Sequence, residues 1–227
     1  MLSESVKKYF KDTYNRNTIF ISNGVNKPEN REPHIIKEKY GLDEESYILF
    51  LARIVPEKGL HYLIEAYKKL NTDKKLVIAG GASHTNDYYQ NILKKCEENQ
   101  NIILTGFVRG DELEELYSNC YIYCLPSDVE GMPISLLEAM SYGKNCVVSD
   151  IEENIQVVGD YAVSFKRGDT EDLKLKLEEC LSGKKIYDSK IISDYVLKKY
   201  NWDSVAEKTE KLYKQKTEKL IENVEKK

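Results

Sequence analysis

The sequence predicts an α/β domain: a parallel sheet with helices packed on both faces. Two observations carry the prediction. Short runs rich in β-branched and aromatic residues alternate with longer amphipathic segments, the βαβα order that makes strands parallel. The strand runs are almost continuously apolar and lack in–out alternation, as strands covered on both faces do. A length of 227 residues and a hydrophobic content of 41% suit one large domain or two small ones with a proper core.

Taken in order, residues 3–16 read as a short charged helix before the turn Asn23-Gly24. Strands are expected at 18–22, 47–52, 75–79, 101–105, 121–125, 145–149 and 161–165. Helices are expected at 33–40, 58–70, 86–99, 111–119, 133–142 and 170–181. Pro33 and Pro133 suit the first helical position, where a missing N–H costs nothing. Asp111 is placed to cap the helix that follows it. Gly41 and Gly143 stand where a left-handed residue ends a helix. Within 58–70, Leu60, Leu63, Ile64, Tyr67 and Leu70 form one apolar stripe at helical spacing and belong to the core. Asp203 is placed to cap a last helix running to about Val224, with Trp202 stapling its start. The Lys- and Glu-rich tail beyond Tyr213 is expected to extend off the body.

Charge and cysteine usage exclude some classes. Charged residues make up 32% of the chain, but the net charge is only −4. A nucleic-acid partner calls for a basic excess that is absent here. The five cysteines are odd in number and follow no zinc spacing, so buried free thiols in a reducing compartment are expected. The longest apolar stretch, 47–55, contains Arg53 and is too short to cross a bilayer. The start Met1-Leu2-Ser3-Glu4 lacks the basic-then-apolar order of a signal peptide. A cytoplasmic location is expected, and peripheral contact with a membrane surface stays open.

In an open parallel sheet, ligands bind at the carboxyl ends of the strands. Arg53, Lys58, Gly80-Gly81, Gly106-Phe107-Val108 and Ser127-Asp128-Val129-Glu130-Gly131 all follow expected strands. Gly131 permits close approach of a ligand to the backbone. The amides after Pro133 open a helix and suit an anionic phosphate or a hydroxyl. Glu138 lies about two turns into that helix, within reach of a diol, and a carboxylate accepts two hydrogen bonds from one. Arg53 forks onto phosphate oxygens and Lys58 adds a point charge, together suited to neutralising a diphosphate leaving group. With no Asp-x-Asp triplet and no histidine cluster, a metal has no evident home.

Plainer readings exist. Arg53 alone also fits a surface salt bridge, Lys58 an exposed helix start, and Gly80-Gly81 a simple turn. His34, His61 and His84 read as ordinary residues. Glu138, flanked by Leu136, Leu137, Ala139 and Met140, is expensive to bury unpaired, which favours a ligand or cation partner.

Several ordered motifs resemble family 4 glycosyltransferases. Glu130 and Glu138, with Gly-Met-Pro-Ile-Ser-Leu-Leu between them, resemble that family's E-x7-E signature. Ser22-Asn23-Gly24-Val25 resembles its interdomain segment, and the stretch 52–59 its phosphate-contacting loop. The stretches 77–81, 105–108 and 147–150 agree with later strand ends, so the likeness covers roughly 18–215. The resemblance implies one Rossmann-like half of a two-domain GT-B architecture and retaining, metal-independent transfer from a nucleoside-diphosphate sugar, UDP-sugar first among donors. It implies no cofactor. By the same resemblance, Arg53 and Lys58 bind the diphosphate, Glu138 the ribose hydroxyls, and Val108 the base. Glu130, with the backbone of Gly131, Met132, Pro133 and Ile134, holds the donor sugar; Glu130, Arg53 and Lys58 are the catalytic candidates.

The resemblance also divides the chain. Residues 1–24 correspond to an interdomain helix and linker strand, 25–200 to the nucleotide-sugar domain, and 201–227 to a helix that packs toward an N-terminal acceptor domain. That acceptor domain or subunit is the expected partner, and without it the chain is expected to be incomplete for catalysis. Ala52 stands where glycine is common and Asn145 where proline is common. Gln156 stands where glutamate is common, in a loop expected near the donor. The alternatives are a non-catalytic subunit or interaction module, and a sugar-nucleotide epimerase.

Overall fold

The computed structural model describes residues 4–82 and 86–225. His84 and the side chains of the tail beyond 214 lie outside the described residues. The first elements are α1 (Glu4–Tyr14), α2 (Ile35–Tyr40), β1 (Tyr47–Leu51), α3 (Leu60–Lys68), β2 (Lys75–Ala79), α4 (Asn86–Glu97) and β3 (Ile102–Gly106). They are followed by α5 (Asp111–Asn119), β4 (Ile122–Leu125), α6 (Ile134–Ser141), β5 (Asn145–Ser149), α7 (Glu152–Val158) and β6 (Val163–Phe165). The chain closes with α8 (Thr170–Leu181), α9 (Ser189–Lys199) and α10 (Trp202–Glu225).

The six strands form one parallel sheet in the order β3-β2-β1-β4-β5-β6. Successive residues of β1 face opposite ways, so Tyr47 and Leu49 join one core cluster while Ile48 and Phe50 join the other. The first cluster packs Leu116, Leu136, Met140 and Ile192 against one face of the sheet. The second packs Leu60, Leu63, Ile64, Leu173 and Leu177 against the other. That double burial is why the strand segments read as unbroken apolar runs. All five cysteines are free and buried, and burial raises their thiol pKa values.

Several local expectations need correction. Residues 18–22 form no strand: six strands complete the sheet without them, and a lone extended run has no ladder to join. Segment 58–70 is two elements, a 3-10 turn at Pro56–Lys58 and then α3. Gly59, at φ +66°, separates them. Pro33 precedes α2, whose cap position is His34, and Pro133 occupies the cap position of α6 rather than its first turn. Asp111 is the first residue of α5, with Gly110 at the cap. Asp203 lies in the first turn of α10; Asn201 Oδ1 caps it, accepting from the Ser204 amide at 2.7 Å. Gly41 and Gly143 do take the left-handed conformation at helix ends. The helices α7 and α9 were not expected, and Gln156 sits within α7 rather than in a loop. Asn145 anchors the segment before α9, accepting from the Tyr187 amide at 2.8 Å.

Candidate functional site

The strand order reverses between β1 and β4: the chain builds outward from β1 through β2 to β3, then crosses by α5 to the other side of β1. Such a switch point leaves a crevice beyond the carboxyl ends of the two central strands, because their connections leave in opposite directions. The loop after β1 carries Arg53 and Lys58, and the loop after β4 carries Ser127, Asp128, Glu130 and Gly131.

Close backbone approaches fix these loops to one another. The Gly59 turn lies so near the β4 loop that a Cβ there would stand 2.0 Å from the Pro126 carbonyl oxygen. Only glycine combines that proximity with the positive φ. The Asp128 amide donates to the Glu57 carbonyl at 2.8 Å, and the Tyr62 hydroxyl donates to Asp128 Oδ2 at 3.2 Å. On the other side, Gly80 is more than a turn residue: a Cβ there would fall 1.9 Å from the Ala52 carbonyl oxygen. Ile54 also bridges to Ala82, zipping the loops after β1 and β2 together.

Two of the four charged candidates meet directly. The Lys58 ammonium donates to Glu130 Oε1 at 2.6 Å, and the Ser127 hydroxyl donates to the same oxygen at 2.7 Å. The Lys58 side chain is 16% exposed and that of Glu130 5%. Screening is weak there, so the pair is a fixed feature and not a transient surface contact. Lys58 therefore does not follow the exposed helix-start reading.

Among the described residues, neither Arg53 nor Glu138 bonds to that pair. Arg53 is exposed beyond β1 and forms no side-chain ion pair with a described residue. Glu138 is partly buried on α6 and accepts a hydrogen bond from the Tyr117 hydroxyl at 2.8 Å. Its partner is thus a neutral donor, where a ligand or cation was expected. Burial raises the Glu138 pKa above its ordinary value, and the Tyr117 bond offsets part of the rise. Tyr117, on α5, stacks on Tyr142 with ring centroids 5.4 Å apart. Sequence reasoning had no signal for its role, since a tyrosine on an apolar helix face looks like core.

Glu138 opens onto a cleft of about 430 Å³ lined by Tyr117, Leu113, Ile134, Tyr142, Arg31 and Trp202. Ile134 and Gly131 are exposed, whereas Pro133 is buried. Pro133 gives α6 no side-chain cap, so the first-turn amides have no capping side chain to satisfy them. Met132 faces the N-terminal segment, its Sδ accepting from the Asn23 amide at 3.1 Å. Val108 is buried beyond β3, two strands from the switch point on the same edge of the sheet. His61 pairs with the Tyr88 hydroxyl at 3.0 Å, and burial lowers its pKa. Among the described residues, no group of three or more His, Cys, Asp or Glu side chains could hold a metal ion. No described helix is long and apolar enough to cross a membrane.

The model of the family described as glycosyl transferases group 1 matches residues 33–193. An uncharacterized glycosyltransferase of Methanocaldococcus jannaschii is 32% identical over 180 residues, covering 76% of this chain and 45% of that protein. The serotype-specific mannosyltransferase WbdA of Escherichia coli is 31% identical over 160 residues, covering 67% of this chain and 19% of its own length. The chain therefore spans less than half the length of these curated relatives. Among solved structures, Anabaena HepE in complex with UDP and glucose superposes with a TM-score of 0.85, covering 94% of this chain and 62% of that one. At 17% identity, that likeness is one of fold, a Rossmann-like half-domain. By sequence and by fold, this chain belongs to the group 1 glycosyl transferases.

Proposed function

We propose that the chain is the nucleotide-sugar-binding half of a retaining glycosyltransferase of the family 4 type, holding a nucleoside-diphosphate sugar at the β1/β4 switch point. The observation that carries this reading is the Lys58–Glu130 ion pair, which sets a cation and a sugar-binding carboxylate side by side where an open parallel sheet binds ligands. Arg53, exposed and without a protein partner among the described residues, and Lys58 neutralise the diphosphate as it leaves. Glu130 and the backbone from Gly131 to Ile134 take the sugar hydroxyls. Glu138 takes the ribose hydroxyls at the mouth of the cleft, and the base lies toward Val108. UDP is the first donor base to test, in keeping with the UDP and UDP-glucose complexes of HepE.

In the same proposal, residues 25–200 form the donor domain, while 1–24 and 201–227 pack toward an acceptor-binding domain or subunit. Half a cleft holds the donor but does not orient an acceptor, so transfer by this chain alone is slow. Calorimetric titration of the purified chain with UDP, GDP and ADP tests the reading. Saturable binding of at least one is expected, and no binding of any at millimolar ligand overturns it.

A further inference from the structure

We propose that Asn154 and Ser149 are positioning residues that act through Ser127 to fix the carboxylate of Glu130, a claim that rests on the rim being the donor site. Ser149, at the end of β5, and Asn154, within α7, are both 0% exposed. Neither reaches the rim surface. The single hydroxyl proton of Ser149 goes to the Ser127 carbonyl oxygen. Asn154 must then turn its amide N–H toward Ser149, and its Nδ2 stands 3.0 Å from the hydroxyl oxygen and 3.3 Å from the carbonyl. That orientation leaves Asn154 Oδ1 buried with no hydrogen-bond partner among the described residues. An unmade hydrogen bond in the interior is unfavourable. An apolar residue of similar size would suit packing better unless the N–H were needed.

The chain of bonds continues outward. Ser127 is also 0% exposed, and its hydroxyl donates to Glu130 Oε1, the oxygen that also takes the Lys58 ammonium. Both donors converge on one oxygen. Oε2 has no hydrogen-bond partner among the described residues and is left for a ligand hydroxyl. Ser149 thus pins the Ser127 backbone at its carbonyl, and the hydroxyl that bonds Glu130 hangs from that pinned backbone. The end of β5 and α7 thereby hold Glu130 with one oxygen committed to the protein and one free.

The test compares UDP with UDP-glucose as probes for the full chain by calorimetry, alongside melting temperatures. Ser149→Ala, Asn154→Leu and Ser127→Ala are expected to weaken UDP-glucose binding about tenfold and UDP binding less than about threefold, because only the sugar contacts Glu130. Ser127→Thr, which keeps the hydroxyl, is expected to retain the wild-type ratio. Unchanged affinities, or equal losses for both probes tracking a lower melting temperature, overturn the inference and leave the proposed function standing. A second readout needs no ligand. The Lys58 ammonium resonance in nitrogen NMR is expected to be protected from exchange in the wild type and to lose that protection in Ser127→Ala and Ser149→Ala. A wild type without protection, or variants that keep it, overturns the inference. Should the wild type bind neither probe, UDP-sugar binding falls, and this resonance alone decides.

Discussion

The two carboxylates flanking the start of α6 are held in opposite ways. Glu130, in the loop, is fixed by a cation and a hydroxyl on one oxygen and is nearly sealed from solvent. Glu138, in the helix, has a single neutral donor, Tyr117, and a burial cost that lifts its pKa. Glu130 is thus paired with a cation, whereas Glu138 has no cation partner among the described residues. The difference separates a rigidly held carboxylate from an under-satisfied one, which fits the proposed roles of Glu130 on a sugar and Glu138 on a diol.

Removing the cation should collapse that distinction. Lys58→Ala leaves Glu130 buried without its pair, and nucleoside-diphosphate affinity is expected to fall about a hundredfold, as when a desolvated charge pair loses one member. A loss below about threefold in calorimetry would place Lys58 outside the phosphate site.

Glu138→Gln should sharpen the contrast. Donor affinity is expected to fall about tenfold through loss of a charged acceptor, while the ligand-free chain becomes more stable near neutral pH. The sign follows from the raised pKa: the folded state holds the Glu138 proton more tightly than the unfolded chain does. Its contribution is therefore fully present below the ordinary value of 4.5 and is lost as pH rises through the folded value. The advantage of Glu138→Gln should appear above that window and vanish below it. Equal stability of the two proteins across pH 4–8 in thermal melts would contradict the account.

The smallest effect belongs to Tyr117→Phe. It deletes the hydrogen bond to Glu138 and should lower the melting temperature by about 2–4 °C at pH 7, the shift expected of ~1 kcal/mol in a chain this long. It should leave the Lys58–Glu130 contact intact. A loss confined to low pH, where Glu138 is protonated, would contradict the assignment.

Much of this arrangement could be read from the residues, and the gaps have physical causes. The six sheet strands declared themselves because burial on both faces makes them continuously apolar. Segment 18–22 has the same composition but no neighbouring strand, and pairing decides strand formation. The helix α7 escaped notice because Asn154, buried and polar, interrupts its apolar stripe. The helix α9 was legible in retrospect: Asp188 caps it by accepting from the Ile191 amide at 3.0 Å, and Ile192 and Val196 are buried one turn apart. At the site, spacing brought forward the charged residues and Ser127, but not Tyr117. Tyr117 reaches Glu138 from a different helix, and which oxygen Ser127 takes is set by the conformation of the loop and not by its spacing.

Backbone amide shift mapping by NMR on adding UDP-glucose to the ligand-free chain tests the central claim most directly. The largest changes are expected together at Arg53, Lys58, 130–132, Ile134 and Glu138, on the carboxyl edge of β1 and β4. Saturable changes confined to the opposite edge of the sheet, with those positions still, would contradict it.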